Sequence, residues 1–216
     1  MPHLTDYVSP DWARAVLITV DTQNDFTLHG APGEVLGTLD AVPQMQRLVR
    51  AFRELDKPII HVVRIYLPDA SNVDNCRRRD FELKKQIAVA GTNGTELVDE
   101  LKPSPQIRLD TQLLLSGGLQ LIGRNEWIMY KPRWGAFFET LLERHLKELG
   151  SNTLVVCGCN FPNCPRSTIY EASERNFRIV LVTDAVSGVY DRALVELQNI
   201  GVSVLRSAAC IVSLQS

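Results

Sequence analysis

The sequence predicts an α/β protein: a three-layer α/β/α sandwich around a six-stranded parallel sheet. Two observations carry this reading. Short apolar runs rich in β-branched residues alternate with longer segments of helical period, the pattern of strands buried on both faces and joined by crossover helices. Right-handed crossovers then place helices on both sides of the sheet. The chain of 216 residues is about one large domain, and no repeat, low-complexity tract or long linker divides it. Residues 1–216 are therefore read as a single domain.

The elements follow in order. Ala15-Val16-Leu17-Ile18-Thr19-Val20 is the first buried strand. A polar loop with Gly and Pro covers residues 21–40. A helix then sets Met45, Leu48, Val49, Phe52 and Leu55 on one face and stops at Lys57-Pro58. Residues 59–63 form the second strand, 66–79 a loop, and 81–89 a short helix. Residues 90–125 carry five glycines, two prolines and scattered apolar residues, and show no period. The third strand is 127–130. Phe137, Phe138, Leu141, Leu142, His145, Leu146 and Leu149 mark the strongest helix, ended by Gly150. A strand at 153–157, a helix over 164–175, a strand at 178–182, a helix over 191–199 and a sixth strand at 202–205 complete the pattern.

Composition excludes several classes. Hydrophobic residues make up 45% of the chain and charged residues 22%, which is ordinary for a folded protein and unlike a disordered one. Lys and Arg number 23 against 25 Asp and Glu, a net charge of −2. That argues against a nucleic-acid partner held by phosphate neutralisation. Apolar stretches reach only about six residues where a bilayer-spanning helix needs about 20, so no membrane partner is expected. The N-terminus lacks the basic start and apolar block of a secretory signal. Five cysteines (Cys76, Cys157, Cys159, Cys164, Cys210) are an odd number and do not resemble a disulfide framework. A reducing cytoplasm is the expected setting.

In doubly wound, Rossmann-like sheets, ligands bind beyond the carboxyl ends of the strands. Asp21 directly follows the first strand and Lys131 the third, while Cys164 lies a short loop after the fourth, at a helix start. Taken singly, Asp21 reads as a turn residue, Lys131 as a surface lysine and Cys164 as a small buried hydrophobe. Together at one sheet edge they form a candidate nucleophilic site. A free thiol with a pKa near 8.5 is mostly protonated at neutral pH. A helix N-terminus and a nearby ammonium favour the thiolate, and a carboxylate can take its proton and later deliver it to a leaving group. The segment from Gly158 to Cys164 links strand to helix, and its N–H groups can converge on an oxyanion. Cys157, Cys159 and Cys164 do not have the spacing of paired C-x-x-C zinc ligands and no histidine lies near, so no metal is expected.

These residues also carry a resemblance. Asp21-Thr22-Gln23-Asn24-Asp25-Phe26 resembles the D-x-Q-N-D-F opening of the isochorismatase-like cysteine hydrolases, the superfamily of N-carbamoylsarcosine amidase and the nicotinamidases. Lys131-Pro132-Arg133-Trp134-Gly135-Ala136-Phe137 resembles their K-x-x-x-S-A-F segment. Residues 158–168 resemble their G-x-x-x-x-x-C-V-x-x-T segment. Order and spacing match from about residue 15 to 205. The resemblance implies a catalytic triad of Asp21, Lys131 and Cys164. It also implies a non-proline cis peptide between Cys159 and Asn160, which would aim the Asn160 N–H, with that of Cys164, at the substrate oxygen. It further implies a six-stranded parallel sheet and a homodimer or homotetramer.

The departures are Gly135 where serine is common, Pro165 where valine is usual, and Phe161-Pro162 in place of a threonine-aspartate pair, which is expected to change the pocket wall. Proline suits the first turn of a helix. The nicotinamidases carry an Asp/His metal cluster after the second strand. Here residues 64–69 offer no histidine, and none occurs between His61 and His145, which disfavours a zinc-dependent nicotinamidase. Isochorismatases proper cleave a vinyl ether and lack the cysteine, so Cys164 favours amide chemistry.

The expected function is cofactor-free hydrolysis of an amide or ureido C–N bond in a small molecule, through a thioester on Cys164. The alternatives are a catalytically silent binding protein, a redox-responsive relative, and a vinyl ether hydrolase. Phe26, Arg64, Trp134 and Arg166 are the pocket candidates. His29 lies in the loop after Asp21, while His61 and His145 read as structural. Arg77-Arg78-Arg79 reads as a solvated or interface charge run, and Asp184 as support for its loop. In a homodimer or homotetramer, residues 90–125 could complete a neighbouring subunit's pocket, a point the sequence leaves open.

Overall fold

The structure is a computed structural model that describes residues 6–215. Seven strands and eight α-helices follow one another as β1 (Ala15–Val20), α1 (Asn24–Thr27), α2 (Thr38–Glu54), β2 (Ile59–Val63), α3 (Asn75–Glu82), α4 (Thr111–Leu115), β3 (Leu119–Gly123), β4 (Glu126–Tyr130), α5 (Leu142–Glu148), β5 (Thr153–Gly158), α6 (Cys164–Glu174), β6 (Arg178–Val186), α7 (Asp191–Asn199), β7 (Ser203–Leu205) and α8 (Ser207–Leu214). The sheet order is β3-β4-β2-β1-β5-β6-β7. Six strands are parallel, and β3 returns antiparallel onto β4.

The layers follow from the two-residue period of the strands. Val16, Ile18 and Val20 of β1 face one way, and with Ile60, Val62, Leu154 and Val156 they pack under α5, α6 and α7. Ala15 and Leu17 face the other way, with Ile59, Val155, Val180 and Val182, under α2 and α8. Strands covered on both sides can be apolar throughout. Among the described residues, no helix is long and apolar enough to cross a membrane.

Helices α1, α4 and α8 lie where the sequence predicts none, and three further elements differ from expectation. The sheet has seven strands, because β3 comes from the region without period. It is a half-exposed edge strand behind Gly117-Gly118, closed onto β4 by a tight turn in which Asn125 takes a positive φ of 52°. An edge strand with solvent on part of its surface carries no continuous apolar run. The helix expected over the Phe137–Leu149 stripe is helical only from Leu142. Glu139 adopts a positive φ of 51° and breaks its first turn. The short helix near 81–89 lies instead at Asn75–Glu82, stopped before Lys84, whose φ is 62°.

The chain winds outward from β1 through β2 to β4, then crosses back to β5 and continues to β7. The switch point is therefore the crevice between the carboxyl ends of β1 and β5, where Val20 pairs with Gly158.

Candidate active site

The residues that leave the strands at this edge converge. Asp21 turns out of β1 with φ 51°, a conformation that aspartate tolerates better than most residues, while its N–H donates to the Val62 carbonyl at 2.9 Å. This tucks its carboxylate back under the edge, 4% exposed. Lys131 leaves β4 with its N–H on the Val63 carbonyl. It is fully buried, and its Nζ lies 2.9 Å from Asp21 Oδ2 and donates to the Arg133 carbonyl at 3.2 Å. Burying an ammonium is tolerable because both partners are held in this geometry. Asp21 Oδ1 is buried and has no hydrogen-bond partner, which is costly unless the oxygen serves some purpose.

Cys164 opens α6 beside this pair, with Pro165 in the helix's first turn. Burial pushes its thiol up to about 11. The Asp21 carboxylate adds to the rise, and Lys131 and Arg64 pull against it. The shift runs against the tendency expected from the helix start and the ammonium, because desolvation outweighs them.

The turn between β5 and α6 is set by Gly158. Its φ is 123°, and a Cβ there would lie 2.2 Å from the Val20 carbonyl oxygen. The turn's backbone hydrogen bonds use the N–H groups of Cys159, Phe161 and Asn163 and leave out those of Asn160 and Cys164. The peptide between Cys159 and Asn160 is trans, and no cis peptide occurs among the described residues. This corrects the cis bond implied by the resemblance. Gly158, whose φ of 123° is open to glycine alone, turns the chain here with the peptide trans.

A small cavity of about 20 Å³, room for about one water, is walled by Asp21, Cys164, Arg64, Phe26, Trp134 and Arg77, with Val35, Cys159, Asn160 and Asn163. Beyond Trp134 lies an open groove of about 590 Å³, bounded by α3, Phe138 and Glu171. Three of the four expected pocket residues thus face the cavity. Arg166 does not. It reaches Tyr190 at 2.5 Å and Glu196 at 3.1 Å on the α7 side, because residues two apart on a helix point in nearly opposite directions. Arg64 is buried, with Nη1 on the Pro132 carbonyl and 3.3 Å from Asp74. Its backbone is clamped by Gln23, which accepts from the Arg64 N–H and donates to the Arg64 and Thr95 carbonyls.

Other expectations resolve locally. Phe161 is buried in the core, edge-on to Tyr190, and forms no part of the cavity wall. The space a side chain would need at Gly135 is taken by the Glu171 carboxylate, 2.1 Å from a Cβ built there, which accepts the Phe137 N–H at 3.0 Å. His29 faces solvent against Glu34. His61 is buried between Thr19 and Glu126. Asp184 accepts the N–H and hydroxyl of Ser207 at the start of α8, the supporting role expected of it. Part of the 90–125 region is committed to its own chain, since Glu96 accepts the Asn24 N–H and Leu97 bridges Gln23. Arg77 of the charge run faces the cavity, against expectation. No sequence signal separates it from Arg78 and Arg79, because only the helix register decides which of the three turns inward. Among the described residues, no group of three or more His, Cys, Asp or Glu could hold a metal ion.

Comparison with known proteins agrees with this architecture. A solved isochorismatase family protein from Desulfovibrio vulgaris superposes with a TM-score of 0.79 at 29% identity, covering 94% of this chain and 99% of its own. A probable inactive nicotinamidase from Arabidopsis thaliana is 29% identical over 197 residues, 88% of this chain and 91% of that protein. A ureidoacrylate amidohydrolase from Methylobacterium radiotolerans is 26% identical over 203 residues, 86% of this chain and 71% of that protein. The isochorismatase domain model matches residues 15–112 and 118–209, and the chain belongs to this family.

Proposed function

We propose that the protein is a cysteine amidohydrolase that cleaves a C–N bond of a small amide or ureido compound. The observation that carries this is the buried Asp21–Lys131 pair beside the Cys164 thiol, with one Asp21 oxygen left without a partner. A thiol held protonated at rest needs a base at the moment of attack, and that oxygen is available to act as one.

Asp21 takes the Cys164 proton as sulfur bonds to the carbonyl carbon. The N–H groups of Asn160 and Cys164 hold the oxyanion, a donor type worth roughly 3 to 4 kcal/mol of barrier each. Collapse breaks the C–N bond, and Asp21 passes its proton to the departing nitrogen. Asp21 then deprotonates a water that attacks the thioester, and the proton returns to sulfur as the acid leaves. Lys131 holds Asp21 in place and offsets its charge throughout. Two relatives support opposite readings: an amidohydrolase of a ureido compound by name, and a nicotinamidase described as probably inactive. The second favours a silent binding protein as the competing reading.

The test is ammonia release from a panel of primary amides and ureido compounds, with mass detection of an acyl adduct. Turnover by the native protein, an adduct on the Cys164 peptide and loss of both in Cys164→Ala are expected. Turnover surviving in Cys164→Ala would refute the mechanism. Binding of amides without any release of ammonia would instead establish the silent protein.

A further inference from the structure

Resting on the amide reading above, we infer that the substrate carries a negative charge, a carboxylate set apart from the scissile amide, and that Arg77 is the residue that selects it. Lys131, Arg64, Arg133 and Arg77 line or support the cavity against the carboxylates of Asp21 and Asp74. Lys131 is committed to Asp21 at 2.9 Å. Arg64 is committed to Asp74, which also receives the Tyr66 hydroxyl at 2.7 Å and lies 3.6 Å from Arg133. Burial holds the Cys164 thiol toward its neutral form. Arg77 is left over. It lines the same cavity as Asp21 and Cys164, and its guanidinium carbon sits 5.7 Å from the centroid of the Phe26 ring. No carboxylate of the described residues pairs with it.

A guanidinium at cation–π distance from a ring and without a carboxylate partner keeps N–H donors that a carboxylate can take bidentately. The cavity wall thus holds a guanidinium without a carboxylate partner, and an anionic group on the substrate supplies one. The neighbouring groove is lined by Arg78 and Arg133 together with the carboxylates of Asp74 and Glu171, so it adds no net charge of its own. The cavity itself admits little more than a water, so a substrate must displace a wall.

Three primary amides of similar length and different charge test this: succinamate (anionic), butyramide (neutral) and β-alaninamide (cationic). Their binding is measured by calorimetry to Cys164→Ala, with and without Arg77→Glu, and turnover is measured with otherwise native protein. Succinamate is expected to bind at least about tenfold more tightly than butyramide, a difference of about 1.4 kcal/mol. Arg77→Glu should abolish that preference and shift it toward β-alaninamide, while Arg77→Lys retains part of it. A charge preference in binding without turnover would sink the amidase reading and leave this inference standing. Equal affinity for succinamate and butyramide, a preference that persists in Arg77→Glu, or no binding of any of the three at millimolar concentration would overturn it.

Discussion

At Cys164 the Asp21 carboxylate has two opposed effects. It is the proposed base, yet its charge also keeps the thiol protonated. Asp21→Asn removes that charge and leaves Lys131 and Arg64 beside the sulfur. The thiol should then ionise at lower pH, and iodoacetamide should alkylate Cys164 on the order of tenfold faster at neutral pH than in the native protein, while amide turnover is lost. Slower or unchanged alkylation would mean that the carboxylate does not control the thiol. Asp21, Lys131 and Cys164 were legible in the sequence because each stands at or just beyond a strand end, and strand ends are set by apolar runs. Arg77 was not, because three successive arginines differ only by rotation around α3. The cavity role expected of Arg166 failed for the same kind of reason: it is two residues past Cys164, and α6 carries it to the opposite side.

The β5–α6 connection sets the site at the scale of an element. Gly158 must adopt a φ of 123° directly opposite Val20 of β1, with no space for a Cβ. Gly158→Ala therefore forces β1 and β5 apart or flips the turn, and should cost roughly 2–4 kcal/mol in denaturant unfolding together with loss of activity. Gly150, with φ 67° and nothing within 4 Å of its Cβ position, is the control. There the strain is purely conformational, and an alanine should cost only about 1 kcal/mol. Equal losses at the two positions would show that the close approach to Val20 relaxes freely. The buried strands were readable because both of their faces are apolar. Strand β3 was not, since an edge strand with a half-exposed surface shows neither an apolar run nor clean alternation. The start of α5 was misplaced because apolar spacing continues through Phe137 and Phe138, where Glu139 has already left the helical region.

Across the whole molecule, one buried polar chain ties the layers together beneath the site. Thr19 of β1 meets His61 of β2 at 2.8 Å, His61 meets Glu126 of β4 at 2.8 Å, and Arg53 of α2 grips both Glu126 oxygens and the Leu101 carbonyl. The sequence placed His61 inside a strand but could not show its partners, which lie 42 and 65 residues away along the chain. Burial alone would raise the Glu126 carboxyl. The hydrogen bonds and charges of Arg53 and His61 more than offset this and hold it at about 2, below its ordinary 4.5. Because the folded value is depressed, the stabilisation is complete above about pH 4.5 and drains away as pH falls toward 2. Its size is on the order of 3 kcal/mol at neutral pH. Glu126→Gln should therefore lower unfolding stability at pH 7 by about that amount and flatten its decline between about pH 5 and pH 2, leaving the remaining carboxylates to set the slope. A native-like slope in Glu126→Gln would mean that the acid sensitivity of the fold arises elsewhere. A slope lost with little change at pH 7 would mean that Arg53 and His61 find other acceptors once the carboxylate is gone.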